Sequence, residues 1–458
     1  MHTHAVILAA GKGSRMKSKN PNISKVSYEI LRVPLVRYVV DAVKPLIDGK
    51  LITVVGHGGE VSKQIVENDS LVVWQHEQLG TGHAVEQTAP ILKGVEGTTL
   101  IINGDTPLFT TRTLERLLKE HKEKGHDLTV LSAVLDNPTG YGRIIRNEDG
   151  FVKEIVEHAD ASEAQRRVQE VNTGVMVYSN KLLFEGLEQL DTNNVQGELY
   201  LTDLIKLFKS KSLVVGASIM DNPIEMSGIN DRVQLADAAK EMQRAINRKH
   251  MLAGVTIEDP TQTYIGPYVE IEPDTIIAPG TSILGVCKIG SDNYIGPNTY
   301  LENTNIGSKN NIISSYLTDT NVGDNNELGP YLKTRANTNI GNNCRVGNFV
   351  ELKNATLHNG VKSAHLTYIG DSEIGEQTNI GAGTITANYN GKNKYKTKVG
   401  KNAFIGSGTI LIAPIEVKDG AFTAAGSTIT DDVEEDELAI ARSEQINKPG
   451  LAKKYRKK

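Results

Sequence analysis

Cysteine is nearly missing: Cys287 and Cys344 are the only two among 458 residues and lie outside any Cys-x-x-Cys spacing. That excludes a disulfide framework and a structural zinc site, and predicts two buried thiols. No run of 18 apolar residues occurs, so no segment reads as a membrane-spanning helix. The first residues, MHTHAVILAA, lack a small-residue cleavage site after their apolar stretch. A cytoplasmic protein without stable membrane association is expected. Bulk positive charge is missing too, since 50 Lys and Arg stand against 55 Asp and Glu, a net charge of −5. No nucleic-acid partner is therefore expected, and any anionic ligand must meet local cations. The basic run at residues 453–458 reads as a solvated end.

With 39% hydrophobic and 23% charged residues, the composition is that of a globular chain, and its length exceeds what one core supports. Residues 5–230 alternate strand-like apolar runs, such as Ala5 to Ala9, Leu51 to Val55 and Leu128 to Val134, with longer helix-like stretches. This predicts an α/β domain with a mostly parallel sheet. Residues 229–252 place Leu235, Ala239, Met242 and Ile246 on one helical face, predicting a linker helix.

From Ile265 the period becomes six: Ile271, Ile277, Ile283, Ile289, Ile295 and Leu301 follow in step. The register is interrupted and returns at Ile340 and Val346, at Ile374 and Ile380, and from Val399 to Ile429. In such a hexapeptide repeat every sixth side chain points inward, and short strands stack into a prism. The expected architecture is a left-handed parallel β-helix. The predicted domains are 1–228, the linker 229–252, and 253–458 with its tail.

Leu8 to Met16 leaves a strand through Gly11 and Gly13, whose backbone N–H groups can approach phosphate oxygens beside Lys12 and Arg15. Alone this is weak, since it matches neither the P-loop nor the dinucleotide fingerprint. Further segments follow in order: Gln75 to Ala84, Asn103-Gly104-Asp105, Gly140 to Arg143, Val156-Glu157-His158, Val171 to Gly174, and Gly228 to Asp231. In the repeat region come Lys333-Thr334-Arg335, Glu351-Leu352-Lys353, Ala364 to Asp371, Asn379 to Thr384 and Ala387 to Lys394.

Together these resemble the GlmU family, bacterial bifunctional enzymes that join an N-acetylglucosamine-1-phosphate uridyltransferase to a glucosamine-1-phosphate acetyltransferase. The resemblance spans residues 5–447. It implies acetyl transfer from acetyl-CoA to glucosamine-1-phosphate at the C-terminal site. Uridylyl transfer from UTP to N-acetylglucosamine-1-phosphate would follow at the N-terminal site, releasing pyrophosphate and feeding cell-wall precursor synthesis. It further implies that Leu8, Ala9, Gly11, Gly13, Lys25, Gln75, Gly80, Thr81, Gly142, Glu157, Asn172 and Asn230 bind the nucleotide and sugar. Arg15 and Lys25 would act in catalysis, and Asp105 and Asn230 would hold Mg²⁺. In the second half it implies His365 as general base and Arg335, Lys353, Tyr368, Asn379 and Lys394 as sugar-phosphate contacts. Ala382, Asn388, Tyr389, Ser407, Ala425 and Arg442 would bind acetyl-CoA. A homotrimer through the β-helix is also implied.

The sequence departs from the family pattern where Asn22-Ile23-Ser24 reads as an insertion before Lys25, with Lys19 the alternative cation, and where Ala336 and Ala364 stand for a proline and a glycine. His76, His83 and His158 read as parts of binding loops rather than as bases. An alternative reading is a single-function sugar-1-phosphate nucleotidyltransferase with a structural or regulatory β-helix, against which Arg335, Lys353 and His365 argue. A non-catalytic scaffold would not need Gly11, Gly13, Arg15, Asp105 and Asn230.

Overall fold

In the computed structural model the described residues are 2–20, 22–192 and 197–456. Pro21, and Lys457 and Lys458 of the basic tail, lie outside them. The chain forms two compact units, residues 1–242 and 243–458.

In the first unit the apolar runs pair into one sheet. Its strand order is Val215–Ile219, Leu128–Val134, Glu170–Ser179, Thr98–Asn103, Thr3–Ala9, Leu51–Val55, Leu71–Trp74. Neighbours are parallel except around Glu170–Ser179, which runs antiparallel to both of its partners. Alternate side chains feed two cores, because successive Cβ atoms of a strand point to opposite faces. Ala5, Ile7 and Ala9 join Val36, Val39 and Val40 of the helix Leu35–Val43 on one side. Val6 joins Ile52, Ile101 and Val130 on the other. Burial on both faces explains why these strands are almost unbroken apolar sequence. Ala9, Val55 and Asn103 mark their carboxyl ends, where open α/β sheets bind ligands.

The helix expected over 229–252 runs from Arg232 to Leu252. It starts later because the Asp231 carboxylate accepts from the backbone N–H groups of Val233 and Gln234, each at 2.9 Å, and so caps the first turn. Leu235, Ala239 and Met242 pack on Ile30, Leu35 and Ile229 in the first unit. In the second unit Ile246 covers the end of the β-helix core, and Gln243 and Asn247 donate to the carbonyl of Thr263.

The second unit is a stack of short parallel strands in three ladders, the hexapeptide-repeat β-helix that the sequence implies. Every hexad residue from Ile265 to Leu301 is buried. The interruptions have a simple cause. One ladder pairs Ile271, Ile289, Ile306, Val322, Ile340 and Leu357, so the coils contain 18, 17, 16, 18 and 17 residues. A corner that loses a residue breaks the count of six without breaking the ladder. Ile374 pairs with Val399, and that 25-residue coil carries an excursion through Asn388 and Lys394. Corners fall on residues that tolerate the left-handed region, such as Asn303, Asp319, Asn354 and Asp371, with φ between 46° and 49°.

Inside the prism Asn293, Asn310 and Asn326 stack. Asn310 Nδ2 donates to Asn293 Oδ1 at 3.0 Å, and Asn310 Oδ1 accepts from the Asn326 backbone N–H and Nδ2, both at 2.9 Å. Asn310→Ala removes the acceptor of the Asn326 backbone N–H and Nδ2, while the Asn310 backbone N–H still serves Asn293 Oδ1, and an unsatisfied buried polar group costs roughly 1–3 kcal/mol. A comparable loss of β-helix stability is expected in denaturant unfolding followed by circular dichroism.

Candidate active sites

The loop leaving the strand Thr3–Ala9 turns through Gly11 and Gly13 into a short 3-10 helix, Ser14–Met16, anchored by the buried Met16. Gly13 has φ +61°, and a Cβ there would stand 2.7 Å from Lys25 Cβ. Conformation and close approach both require glycine. Lys25 Nζ donates to the Asp105 carboxylate and, at 3.0 Å, to Asn230 Oδ1. Arg15 Nη2 donates to the same Asn230 oxygen at 2.8 Å. Two cations from the loop region thus meet a carboxylate just past the strand Thr98–Asn103 and an amide just before the long helix. Lys25, not Lys19, lines the cavity, so the three extra residues before it do not carry it away.

Three adjoining cavities of about 360, 580 and 530 Å³ open over these groups. The first is walled by Leu8, Ala9, Gly11, Lys25, Asp105 and, at its other end, Gln75, Gly80 and Thr81. Gln75 Nε2 donates to the Gly80 carbonyl and lies 3.1 Å from His83 Nδ1, which turns its Oε1 to other donors. Gln78 Nε2 ties down the Ala10 carbonyl at 2.5 Å. His83 is enclosed between Gln75 and Gln87, and His76 stacks on Trp74, so both histidines serve the architecture of this loop.

The other two cavities share Glu157 and Asn172, and Gly142, Arg15, Asp105 and Asn230 line one of them. Burial, then the charges of Asp160 and Asp203, push the Glu157 carboxyl above the ordinary carboxylate range. The Asp203 carboxyl is also raised, chiefly by burial. Asp160 and Tyr200 on this wall and Glu198 in the first cavity were not anticipated. They sit in stretches with neither glycine-rich turns nor periodic apolar residues to draw attention.

In the β-helix the expected residues fall on two corners. One corner carries His365, Ala382, Ser407, Ala425 and Arg442, one position per coil. Gly383 N–H donates to the Leu366 carbonyl, Gly408 N–H to Ala382, Gly426 N–H to Ser407 and Arg442 Nη1 to Ala425, all between 2.6 and 2.8 Å. Small residues here leave backbone open along the prism axis. His365 is exposed and borders a cavity of about 190 Å³ with Gly329, Arg345 and Asn348. Asn379 lies on the face leading into this corner, paired with Phe404.

The other corner carries Arg335, Lys353, Asn388, Tyr389 and Lys394. Arg335 Nη2 lies 2.5 Å from Glu351 Oε1. The Lys394 ammonium lies against that of Lys353, which holds it below the ordinary lysine range. Tyr368 occupies the face between the two corners, paired with Glu351 below and Ile385 above. Within one chain His365 and the Lys353–Lys394 pair therefore lie toward opposite ends of that face. They are separated along that face by roughly 10–15 Å of extended strand.

The MobA-like NTP transferase domain model matches residues 5–198. The chain is 48% identical to the Bifunctional protein GlmU of Staphylococcus haemolyticus over 454 residues, covering 99% of this chain and 100% of the relative. It is 49% identical to the protein of that name from Geobacillus sp. over 445 residues, 97% and 96% of the two chains. To that of Streptococcus thermophilus it is 45% identical over 452 residues, 99% and 98%. The chain belongs to the GlmU family. It is a bifunctional enzyme of UDP-N-acetylglucosamine synthesis, a nucleotidyltransferase joined to an N-acetyltransferase.

Within this member of the GlmU family the loop tolerates no side chain at position 13. Gly13→Ala adds a left-handed penalty of roughly 1–2 kcal/mol to the clash with Lys25. Uridylyl-transfer kcat/KM is expected to fall about tenfold or more, with acetyl transfer by the same preparation unchanged, as measured by separate pyrophosphate-release and thiol-release assays.

Proposed function

We propose that the loop cavity transfers the uridylyl group and that the β-helix corners carry the acetyl transfer. The observation that carries the first half is the convergence of Arg15, Lys25, Asp105 and Asn230 at one point. There a phosphate oxygen of N-acetylglucosamine-1-phosphate attacks the α-phosphorus of UTP, a new P–O bond forms, and the bond to the β-phosphate breaks to release pyrophosphate. No protein nucleophile is needed, so the chain contributes position and charge. Arg15 and Lys25 hold the phosphates, Gln75 and the Gly80 backbone read the uracil edge, and Gly142, Glu157 and Asn172 hold the sugar.

Asp105 and Asn230 would hold Mg²⁺. The fit rests on their chemistry: one carboxylate and one amide oxygen, both already in contact with the Lys25 ammonium, are hard ligands at a place where a cation is stable. Among the described residues no cluster of three or more His, Cys, Asp or Glu is arranged to bind a metal, so phosphates and water must complete the shell. When bound, the ion offsets charge on the phosphates.

In the second half the amine of glucosamine-1-phosphate attacks the thioester carbonyl of acetyl-CoA. A C–N bond forms, the C–S bond breaks to release coenzyme A as the thiolate, and His365 takes the amine proton, which can then pass to the thiolate. The open column Ala382, Ser407, Ala425 fits an extended pantetheine arm with Arg442 at its far end. Arg335, Lys353 and Lys394 suit the sugar phosphate, with Tyr368 and Asn379 on the sugar, and Asn388 and Tyr389 beside the acetyl group. The separation of His365 from the lysine pair supports a homotrimer in which corners from neighbouring copies complete each site. Among the described residues no helix is long and apolar enough to cross a membrane. The proposed enzyme acts on small molecules in the cytoplasm.

His365→Ala is expected to slow acetyl transfer at least about 100-fold while uridylyl transfer persists; equal loss of both, or of neither, defeats the assignment. Asp105→Asn is expected to abolish Mg²⁺-dependent pyrophosphate release from UTP, and full retained activity would overturn the metal ligand.

A further inference from the structure

Corner residues of a β-helix are usually exposed, and Asp319 and Asn354 are. Asp371, at the equivalent corner with φ 48°, is buried at 9% exposure. Both its oxygens are engaged: Oδ1 accepts from Asn354 Nδ2 at 2.7 Å, and Oδ2 accepts from Asn388 Nδ2. An acidic turn residue needs neither contact, since Asp319 keeps its corner with a single long one, 3.3 Å from Asn303 Nδ2. Parallel register explains the enclosure. Lys353 pairs with Gly370, which puts Asn354 and Asp371 on successive coils, and the excursion of the following coil lays Asn388 over them.

The surroundings make the carboxylate an organiser of polar groups. Burial lifts its proton affinity, but donation by Asn354 and Asn388 and the charges of Lys353 and Lys394 outweigh it, and the carboxyl ends below its ordinary range. Asp371 therefore stays ionised, an acceptor that can never donate. A carboxamide facing a permanent acceptor has one orientation. Asn388 must present its NH₂ to Asp371, which leaves its Oδ1 as the end available to a ligand. That end can accept from an amine N–H and hold a nitrogen lone pair toward an acyl carbon. The reverse orientation would offer a donor instead.

We propose that Asp371 is a positioning residue of acetyl transfer, acting through Asn388: its carboxylate locks the Asn388 carboxamide with Oδ1 outward, as an acceptor for the attacking amine. The inference rests on the acetyl-transfer reading of this corner.

Asp371→Asn tests it, because asparagine keeps the size and tolerates the left-handed corner while removing the permanent acceptor. In the full-length protein, acetyl-transfer kcat is expected to fall about tenfold or more, with KM for glucosamine-1-phosphate changing by less than about threefold. The lysines remain and have lost a competing anion, so phosphate binding is not weakened. Uridylyl transfer is expected to be unchanged. Asn388→Ala is expected to lower kcat similarly, and the double variant to be no worse than the worse single variant, since both remove one device. Unchanged kcat, a rise in KM alone, a fully additive double variant, or parallel loss of uridylyl transfer would each overturn the role. His365→Ala separates the two levels. If it spares acetyl transfer the underlying reading fails, whereas if it abolishes acetyl transfer while Asp371→Asn is silent, only the role of Asp371 fails.

Discussion

Register is the constraint on which the second half of the molecule depends. Parallel strands stack about 4.8 Å apart, so residues one coil apart become neighbours whatever the sequence between them. Gly383, Gly408 and Gly426 each donate a backbone hydrogen bond to the coil below, which turns scattered small residues into one continuous strip. Changing the coil from 18 to 25 residues between Ile374 and Val399 leaves the inward-facing residues in line and spends the surplus at a corner. The proposed acetyl-transfer corner draws on that surplus, because the core restricts the faces and leaves corners free to vary.

The first half relies on a different constraint, the common carboxyl edge of its parallel strands. Ala9 and Asn103 end on the same edge because Leu8 pairs with Asn103. The glycine loop after one and Asp105 after the other must therefore meet. Asn230 joins them from more than a hundred residues away because the Ile229 backbone N–H donates to the Asp105 carbonyl at 3.0 Å. The Asp231 cap then starts the helix directly beyond the site.

Much of this was legible in the sequence wherever a local rule held. The hexads from Ile265 to Leu301 and from Val399 to Ile429 declared the β-helix because each coil there keeps 18 residues. Between them the fold continues through Ile306, Ile312, Leu317 and Val322, hidden from a strict count of six by shortened corners. The glycine loop, Asp105 and His365 stood out as residue types in informative places, yet the pairing of Lys25 with Asp105 and Asn230 depends on contacts 80 and 205 residues apart. Glu198 and Tyr200 gave no signal, and Asp371, although it closes the segment Ala364 to Asp371, gave none of its enclosure. An acidic residue at a turn reads as solvated, and only the coils above and below show that Asp371 is enclosed.

A net-negative chain that binds nucleotides, sugar phosphates and coenzyme A must keep cations ready without leaving them unpaired. In both halves several candidate anion-binding cations rest against acids: Lys25 on Asp105, Arg335 on Glu351, and Lys353 with Lys394 near Asp371. Stripping water from a free ammonium in a cleft is costly, whereas a cation already held by a carboxylate has met part of that cost during folding. Binding an anion then exchanges one partner for another. Such an exchange is selective by geometry, since a ligand succeeds only if its charge falls where the released cations point. Exposed lysines such as Lys453 and Lys454 attract anions without that discrimination. The acids beside the cations therefore shape where an anion can be accepted, and their placement distinguishes this corner and this loop from the rest of a chain with fifty basic residues.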